Sequence, residues 1–319
     1  MKRNRGPFSR AAALTLVGSL WLTPFTAFGW GNVGHTDMNQ VAAERIPASM
    51  PKFLRTKSAV QKIAYLGSEP DRWRSESPSA LNYAQAPDHF IDLERIEGLG
   101  PLPLSRYDFY KLLYAKRAAT SAADHPDDYL PDRVGLQPYI TMEVYKRIEL
   151  AFRAYRDMKQ KKQKTDVIEG NIIFYMGWLG HYVADGSQPL HTSVQYDGWV
   201  GANPEGYTTQ HGIHAEFETD FVNRVVPSPA SFENLVNAPE RLSDPFSDYM
   251  KYLEASHTLV EQVYAFDKAK AYDGAGSPEA VKFVDQRLAA GTQMLVDLWY
   301  TAWLQSGEPL PQRPPRPAN

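Results

Sequence analysis

From residue 169 to 186 the chain is apolar on almost every side of a helix, with Ile172, Ile173, Phe174, Tyr175, Met176, Trp178 and Leu179 nearly in succession, yet it carries His181 and Asp185. A helix apolar all round belongs at the centre of a bundle. A carboxylate buried there without a partner costs several kcal/mol, so a cation or a strong hydrogen-bond network must meet it. His181 and Asp185 are four apart, hence one turn apart on one face, as two ligands of one ion must be. Gly186 and Pro189 then end the helix and return His191 to the same end, so GHYVADGSQPLH reads as three candidate ligands.

The surrounding sequence predicts partners for such a helix. Apolar residues recur at three- and four-residue steps, without alternating strand runs, over about 33–46, 106–122, 138–161, 212–225, 243–266 and 277–305. Segment 138–161 places Ile140, Val144, Tyr145, Ile148, Leu150, Ala151 and Tyr155 on one side, with Lys146, Arg147, Arg153 and Lys159 largely opposite. The expectation is one all-α, multi-helix domain over 30–306. The four lysines of 159–164 are read as a solvated turn, and the Pro-rich end, 307–319, as a tail.

Residues 1–29 hold Lys2, Arg3, Arg5 and Arg10 with no acid, then an apolar run from Ala11 to Leu22, then Ala27-Phe28-Gly29. That order predicts a secretory signal cleaved before Trp30 and a secreted or periplasmic product. Its removal leaves 30 basic against 37 acidic residues, net −7. Such a balance excludes nucleic-acid binding through a broadly basic surface. With no Cys in the chain, disulfides and thiolate chemistry are excluded as well.

A second His/acid pair four apart, His214 and Glu218 in GIHAEFETDF, repeats the pattern. Asp71 in PDRWR and His89 in DHFID add an acid and a His at expected loop-to-helix boundaries. Nitrogen and oxygen ligands without thiolate suit zinc. His125, His211 and His257 fall outside the pattern, although His211 lies three residues before His214.

These motifs resemble the trinuclear-zinc phosphodiesterases, the superfamily uniting bacterial phospholipase C with the single-strand-specific nucleases of fungi and plants. The resemblance rests on Trp30 opening the processed chain with His35 five residues later, Asp71 with Arg74, HFID at 89–92, His181-x-x-x-Asp185-x(5)-His191, and His214-x-x-x-Glu218. It implies an all-α phospholipase C/zinc nuclease fold and three Zn(2+). One would be held by Asp71, His89, His181 and Asp185, a second by His191, His214 and Glu218. A third would be held by Trp30, through its freed α-amino group and carbonyl, with His35 and a bridging Asp185. The implied chemistry is attack on phosphorus by a metal-bridging hydroxide, with Asp71 orienting it or taking its proton and Arg74 neutralising phosphoryl charge.

The two branches pull differently. The Trp30-to-His35 step and Asp71-x-x-Arg74 look like the nucleases; the ending in Glu218 and HYVADGSQPLH look like the phospholipases. The first expectation is a nuclease acting on single-stranded DNA or RNA, with Tyr196, Trp199 and Tyr207 of the 194–210 segment as candidate base-stacking residues. The alternative is a zinc-dependent phospholipase C acting on phospholipid; a third reading is a non-catalytic zinc-binding envelope protein. No stable protein partner is expected, and the chain is read as a monomer.

Overall fold

In the computed structural model residues 30–75, 79–226 and 228–310 are described; the predicted signal segment and its cleavage site, and residues 311–319 of the predicted tail, lie outside them. Among the described residues the chain is helical, with isolated bridges such as Ile91 to Gly135 but no strand ladder. The fold class is all-α, as the periodicity predicts.

Ten helices of at least seven residues carry the architecture among the described residues: α1 (Gly31–Glu44), α2 (Lys57–Leu66), α3 (Glu69–Ser75), α4 (Ser79–Gln85), α5 (Arg106–Ala119), α6 (Gln137–Gln160), α7 (Asp166–Ser187), α8 (Pro245–His257), α9 (Val260–Lys268) and α10 (Pro278–Gln305). Side chains set several of the boundaries. Thr56, Ser105, Asp244 and Ser277 each accept a backbone N–H from the first turn of the helix that follows, and Pro245 and Pro278 stand where a missing N–H costs nothing.

Helix α7 is central, packing against α1, α2, α6, α8 and α10. From Leu179 to Ser187 every residue is buried, but the N-terminal half runs along the surface and exposes Phe174. The all-round apolar reading therefore holds for the C-terminal half only. Leu150, assigned to the buried face of α6, is likewise 56% exposed.

Two apolar cores meet at the end of α7. Leu179, Tyr182 and Val183 join the larger one, built with α6 and α10; Ala184 and Leu190 join the smaller, built around Trp30, Phe217, Phe221 and Tyr264. The indole of Trp30 seals the seam, donating from Nε1 to the Ala184 carbonyl (2.9 Å) and Ser187 Oγ (2.8 Å). Helices α1 and α2 reach α7 closely because of glycine. Asn39 of α1 donates to the carbonyls of Ile63 and Gly177 over the surface left open by Gly180 and Gly177.

Two expected helices are broken. The 243–266 segment forms α8 and α9, parted after the run Ser256-His257-Thr258, whose hydroxyls bond back to the Tyr252 and Ala255 carbonyls. Such side-chain bonds compete with helix continuation. The 212–225 segment is a short α-turn, Ile213–Ala215, then a π-helical turn, Glu216–Phe221, then Val222–Val225. The wide turn buries Phe217, Glu218 and Phe221 together. Of the predicted tail, Gly307–Leu310 is described, and Glu308 pairs with Arg241 while its carbonyl accepts from Arg153.

Replacing Gly180 with Ala would set a Cβ on top of Asn39 Oδ1. Gly180→Ala is expected to destabilise by about 2 kcal/mol or more through overpacking, read as a lower denaturation midpoint with an unchanged denaturant slope.

Candidate metal centre

Six separate elements bring the predicted ligands together. α1 supplies His35, α3 supplies Asp71, the 3-10 turn Ala86–His89 supplies His89, and α7 supplies His181 and Asp185. The 3-10 turn Pro189–Thr192 supplies His191, and the α-to-π segment supplies His214 and Glu218. All eight residues are buried.

Around Asp185 the separations are those of a shared centre. Its Oδ1 lies 3.4 Å from His35 Nε2, and its Oδ2 lies 3.1 Å from His89 Nδ1, 3.4 Å from His181 Nε2 and 3.9 Å from His191 Nδ1. Asp71 closes the group, 3.7 Å from His181 Nε2, 3.8 Å from His89 Nδ1 and 3.9 Å from His35 Nε2. The second group is tighter: Glu218 Oε2 lies 2.8 Å from His214 Nε2 and 3.2 Å from His191 Nε2, and those two nitrogens are 3.2 Å apart. Three sets of ligand atoms, each mutually within 4.8 Å, result: His35, Asp71 and His181; His89, His181 and Asp185; His191, His214 and Glu218.

The outer ring nitrogens decide what these clusters can hold. His181 Nδ1 faces the Gly67 carbonyl at 2.8 Å, His191 Nδ1 the His89 carbonyl at 2.7 Å, and His214 Nδ1 the Tyr196 carbonyl at 2.9 Å. A carbonyl only accepts, so each Nδ1 must carry the proton and each neutral ring turns a bare Nε2 lone pair inward. In the second group two such lone pairs converge on a carboxylate oxygen that accepts from Gln188 Nε2 at 2.9 Å, and neither imidazole brings a donor of its own. A proton can relieve one of these pairs; a divalent ion relieves all three, and nitrogen and oxygen donors suit zinc. The residues therefore fit the metal that the sequence resemblance implies.

Electrostatics agree. Burial pushes Asp71 up to about 8, against the pull of Arg74, and raises Asp185 well above the carboxylate range. Burial holds His89 and His181 far below the usual imidazole value. Glu218, although buried, is held down at about 2 by His214 and His191. A centre rich in neutral imidazoles and costly buried carboxylates is one that a cation stabilises.

Trp30 takes its place through its indole, and its carbonyl accepts from Gly34 N–H at 3.1 Å. The implied α-amino ligation belongs to a chain cut before Trp30, and that boundary lies outside the described residues. Arg74 lines a cleft of about 550 Å³ whose floor is His89, His191 and His214, and Asn82 bonds its backbone carbonyl. The neighbouring Arg72 turns away to Glu69 and the Tyr65 carbonyl.

The aromatic candidates divide. Tyr196 is exposed on the cleft wall, whereas Trp199 and Tyr207 do not line the cleft. They pack instead against Tyr264, Trp199 edge-on and Tyr207 tilted, ring centroids 5.2 and 5.6 Å away, and so dock the loop onto the smaller core. His211 is exposed and held by Asp197, outside the clusters. His257 binds the Thr192 carbonyl, and His125 is exposed. Asp92, the last residue of the HFID motif, lines the cleft and lies 3.9 Å from Arg95.

Sequence reasoning missed Gln188, whose Nε2 donates to Glu218 Oε2 at 2.9 Å while its Oε1 caps Leu190 N–H. It sits between Asp185 and His191, and that position is the one available signal. The backbone acceptors at Gly67, His89 and Tyr196 have none, since a carbonyl is common to every residue.

No protein-family model and no curated protein matches the chain. Among solved structures it is similar to the alpha-toxin of Clostridium absonum, with 14% identity, a TM-score of 0.41, and coverage of 85% of this chain and 64% of that one. It is similar also to the alpha-toxin of Clostridium perfringens from avian strain SWCP, at 14% identity, TM-score 0.37, and 88% and 64% coverage. The chain thus spans under two thirds of either toxin.

A pH dependence follows. Asp71 and Asp185 are raised and His214 lies above its usual value, so each contributes stability that is complete below its unfolded value and lost as pH rises through the folded one. With chelator present, the melting temperature is expected to fall by several degrees from pH 7 to 9. With saturating zinc the fall should vanish, because the ion replaces the protons. Thermal melts in the two series check this.

Proposed function

We propose that this chain is a zinc-dependent hydrolase of phosphate diesters that acts on phospholipid in the manner of a phospholipase C. The observation that carries the metal part is the convergence of the His191 and His214 lone pairs with the Glu218 carboxylate, beside the Asp185 cluster, at the floor of an open cleft. The ions would be held by His35, Asp71, His89, His181, Asp185, His191, His214 and Glu218, with Trp30 added in a processed chain. Bound there, zinc supplies Lewis-acid stabilisation of phosphoryl charge and lowers the pKa of coordinated water.

The protein's own groups do the rest. Arg74 on the cleft wall pairs with the non-bridging phosphoryl oxygens and stabilises the charge that grows on them. Asp71, buried beside it, takes the proton of the water attacking phosphorus. A water oxygen–phosphorus bond forms as the ester oxygen departs with its electron pair. The surrounding burial of His89, His181 and Asp185 keeps these groups in one geometry.

The cleft's composition supports the lipid over a polynucleotide. Arg74, Arg95 and Arg133 face Asp92, Asp128 and Asp132, and Arg95 is already bound to Asp128. A strand-tracking groove needs an excess of positive charge and stacking platforms. Here the charges balance, and Trp199 and Tyr207 are committed elsewhere. Phe90, Leu190, Val194, Val200 and Tyr196 offer instead an apolar wall beside a site for one phosphate. The single-strand nuclease remains the second reading, favoured by the Asp71-x-x-Arg74 spacing with Arg74 on the cleft wall.

Protein processed to Trp30, assayed in parallel on phosphatidylcholine vesicles and on single-stranded DNA and RNA, tests the choice. Chelator-sensitive release of phosphocholine is the expected result; chelator-sensitive release of nucleotides alone would replace the lipid reading with the nuclease. Silence on every substrate with zinc bound would leave the non-catalytic reading. Arg74→Ala is expected to lower kcat about 100-fold or more with zinc content unchanged. Asp71→Asn should cost about two to four orders of magnitude, and wild-type turnover in that variant would remove Asp71 from the mechanism.

A further inference from the structure

Tyr264 is fully buried on α9, and no motif of the sequence singles it out. Its hydroxyl donates to the Gln195 carbonyl at 2.6 Å and accepts from Gly198 N–H at 2.9 Å. Between those two bonds lie only Tyr196 and Asp197, and both of them hold His214. The Tyr196 carbonyl accepts from His214 Nδ1 at 2.9 Å; Asp197 Oδ1 accepts from His214 N–H at 3.3 Å and from Gly212 N–H at 2.6 Å.

From this bracket we infer that Tyr264 is a positioning residue for the second metal cluster, stapling both ends of a two-residue clamp that fixes the tautomer and aim of His214. The inference rests on the metal reading given above. The clamp spans an otherwise irregular loop, in which Tyr196 has only an isolated bridge to Gly198 rather than a helix or a strand ladder to keep it in register. Gly198, at φ 106°, lets the chain turn immediately after the clamp. Without the phenol, the Tyr196 carbonyl loses the two bonds that flank it, and its hold on the imidazole loosens. The His214 proton can then move to Nε2, where it blocks the ligating lone pair. The ring of Tyr264 has a separate task, packing edge-on against Trp199 and tilted against Tyr207. Removing only the hydroxyl therefore isolates the clamp.

The test uses the full exported chain and zinc alone as the probe, with a competing chelator to measure how many ions bind and how tightly. Tyr264→Phe is expected to melt within a few degrees of wild type and to hold one zinc about tenfold more weakly, the others unchanged. Its His214 Nδ1–H resonance should exchange faster with solvent. Tyr272→Phe is the control, since its hydroxyl also bonds a buried carbonyl, that of Val263, but touches no part of the loop. Equal weakening in Tyr264→Phe and Tyr272→Phe, or equal zinc affinity in Tyr264→Phe and wild type, would overturn the inference. If Tyr264→Phe does not fold, Asp197→Ala cuts the clamp directly and must show the same selective weakening, or the inference fails. A wild-type chain that binds no zinc at all would instead sink the metal reading.

Discussion

Asp185 sets a carboxylate with no solvent contact among the ring nitrogens of His35, His89 and His181, and the organisation of the molecule follows from having to support it. The group cannot be tolerated at the end of a helix unless opposite charge or matched donors surround it. Surrounding it requires ligands from chain segments far apart in sequence, so α1, the turn at His89 and the turn at His191 must all arrive at one end of α7. The close contact of Asn39 with Gly180 and Gly177 brings α1 and α2 in. The Trp30 indole closes the opposite side against Ala184 and Ser187.

Much of this centre is legible in the amino-acid order. His181, Asp185, His191, His214 and Glu218 stand out because polar residues at helical spacing inside apolar stretches need a reason to be there. The long helices α6, α7 and α10 are legible from their periodicity. What escapes is set by contacts rather than pattern. The exposure of Phe174 and Leu150 depends on where neighbouring helices stop, which no local period encodes. The break before α9 depends on two hydroxyl residues, Ser256 and Thr258, turning their side chains back onto the helix's own carbonyls. The π-helical turn at Glu218 differs from an α-turn by one residue's worth of winding, too small a change for hydrophobic spacing to reveal.

The same distinction explains the aromatic loop. Tyr196, Trp199 and Tyr207 look equivalent as a string of rings between two ligand motifs, yet a loop of that length must bury something of its own to hold a shape. Trp199 and Tyr207 serve that purpose with Tyr264, and Tyr196 is left to the cleft. A ring near a site in sequence is thus a candidate for two jobs, and only its packing partners assign it one.

Three of the five imidazoles in the centre, those of His181, His191 and His214, are oriented by main-chain oxygens at Gly67, His89 and Tyr196 rather than by side chains. Acceptors of that kind need no particular side chain of their own, so the Tyr196 position can change and keep its bond, whereas a Cβ at Gly67 would meet the His35 carbonyl at 2.6 Å and holds that position to glycine. Spacing has no such freedom. His89 contributes its ring to one cluster and its carbonyl to the ring of His191 in the other, so a single residue inserted or deleted beside it would misalign both at once. Divergent relatives of this chain should be recognisable less by the residues flanking the centre than by the intervals between them.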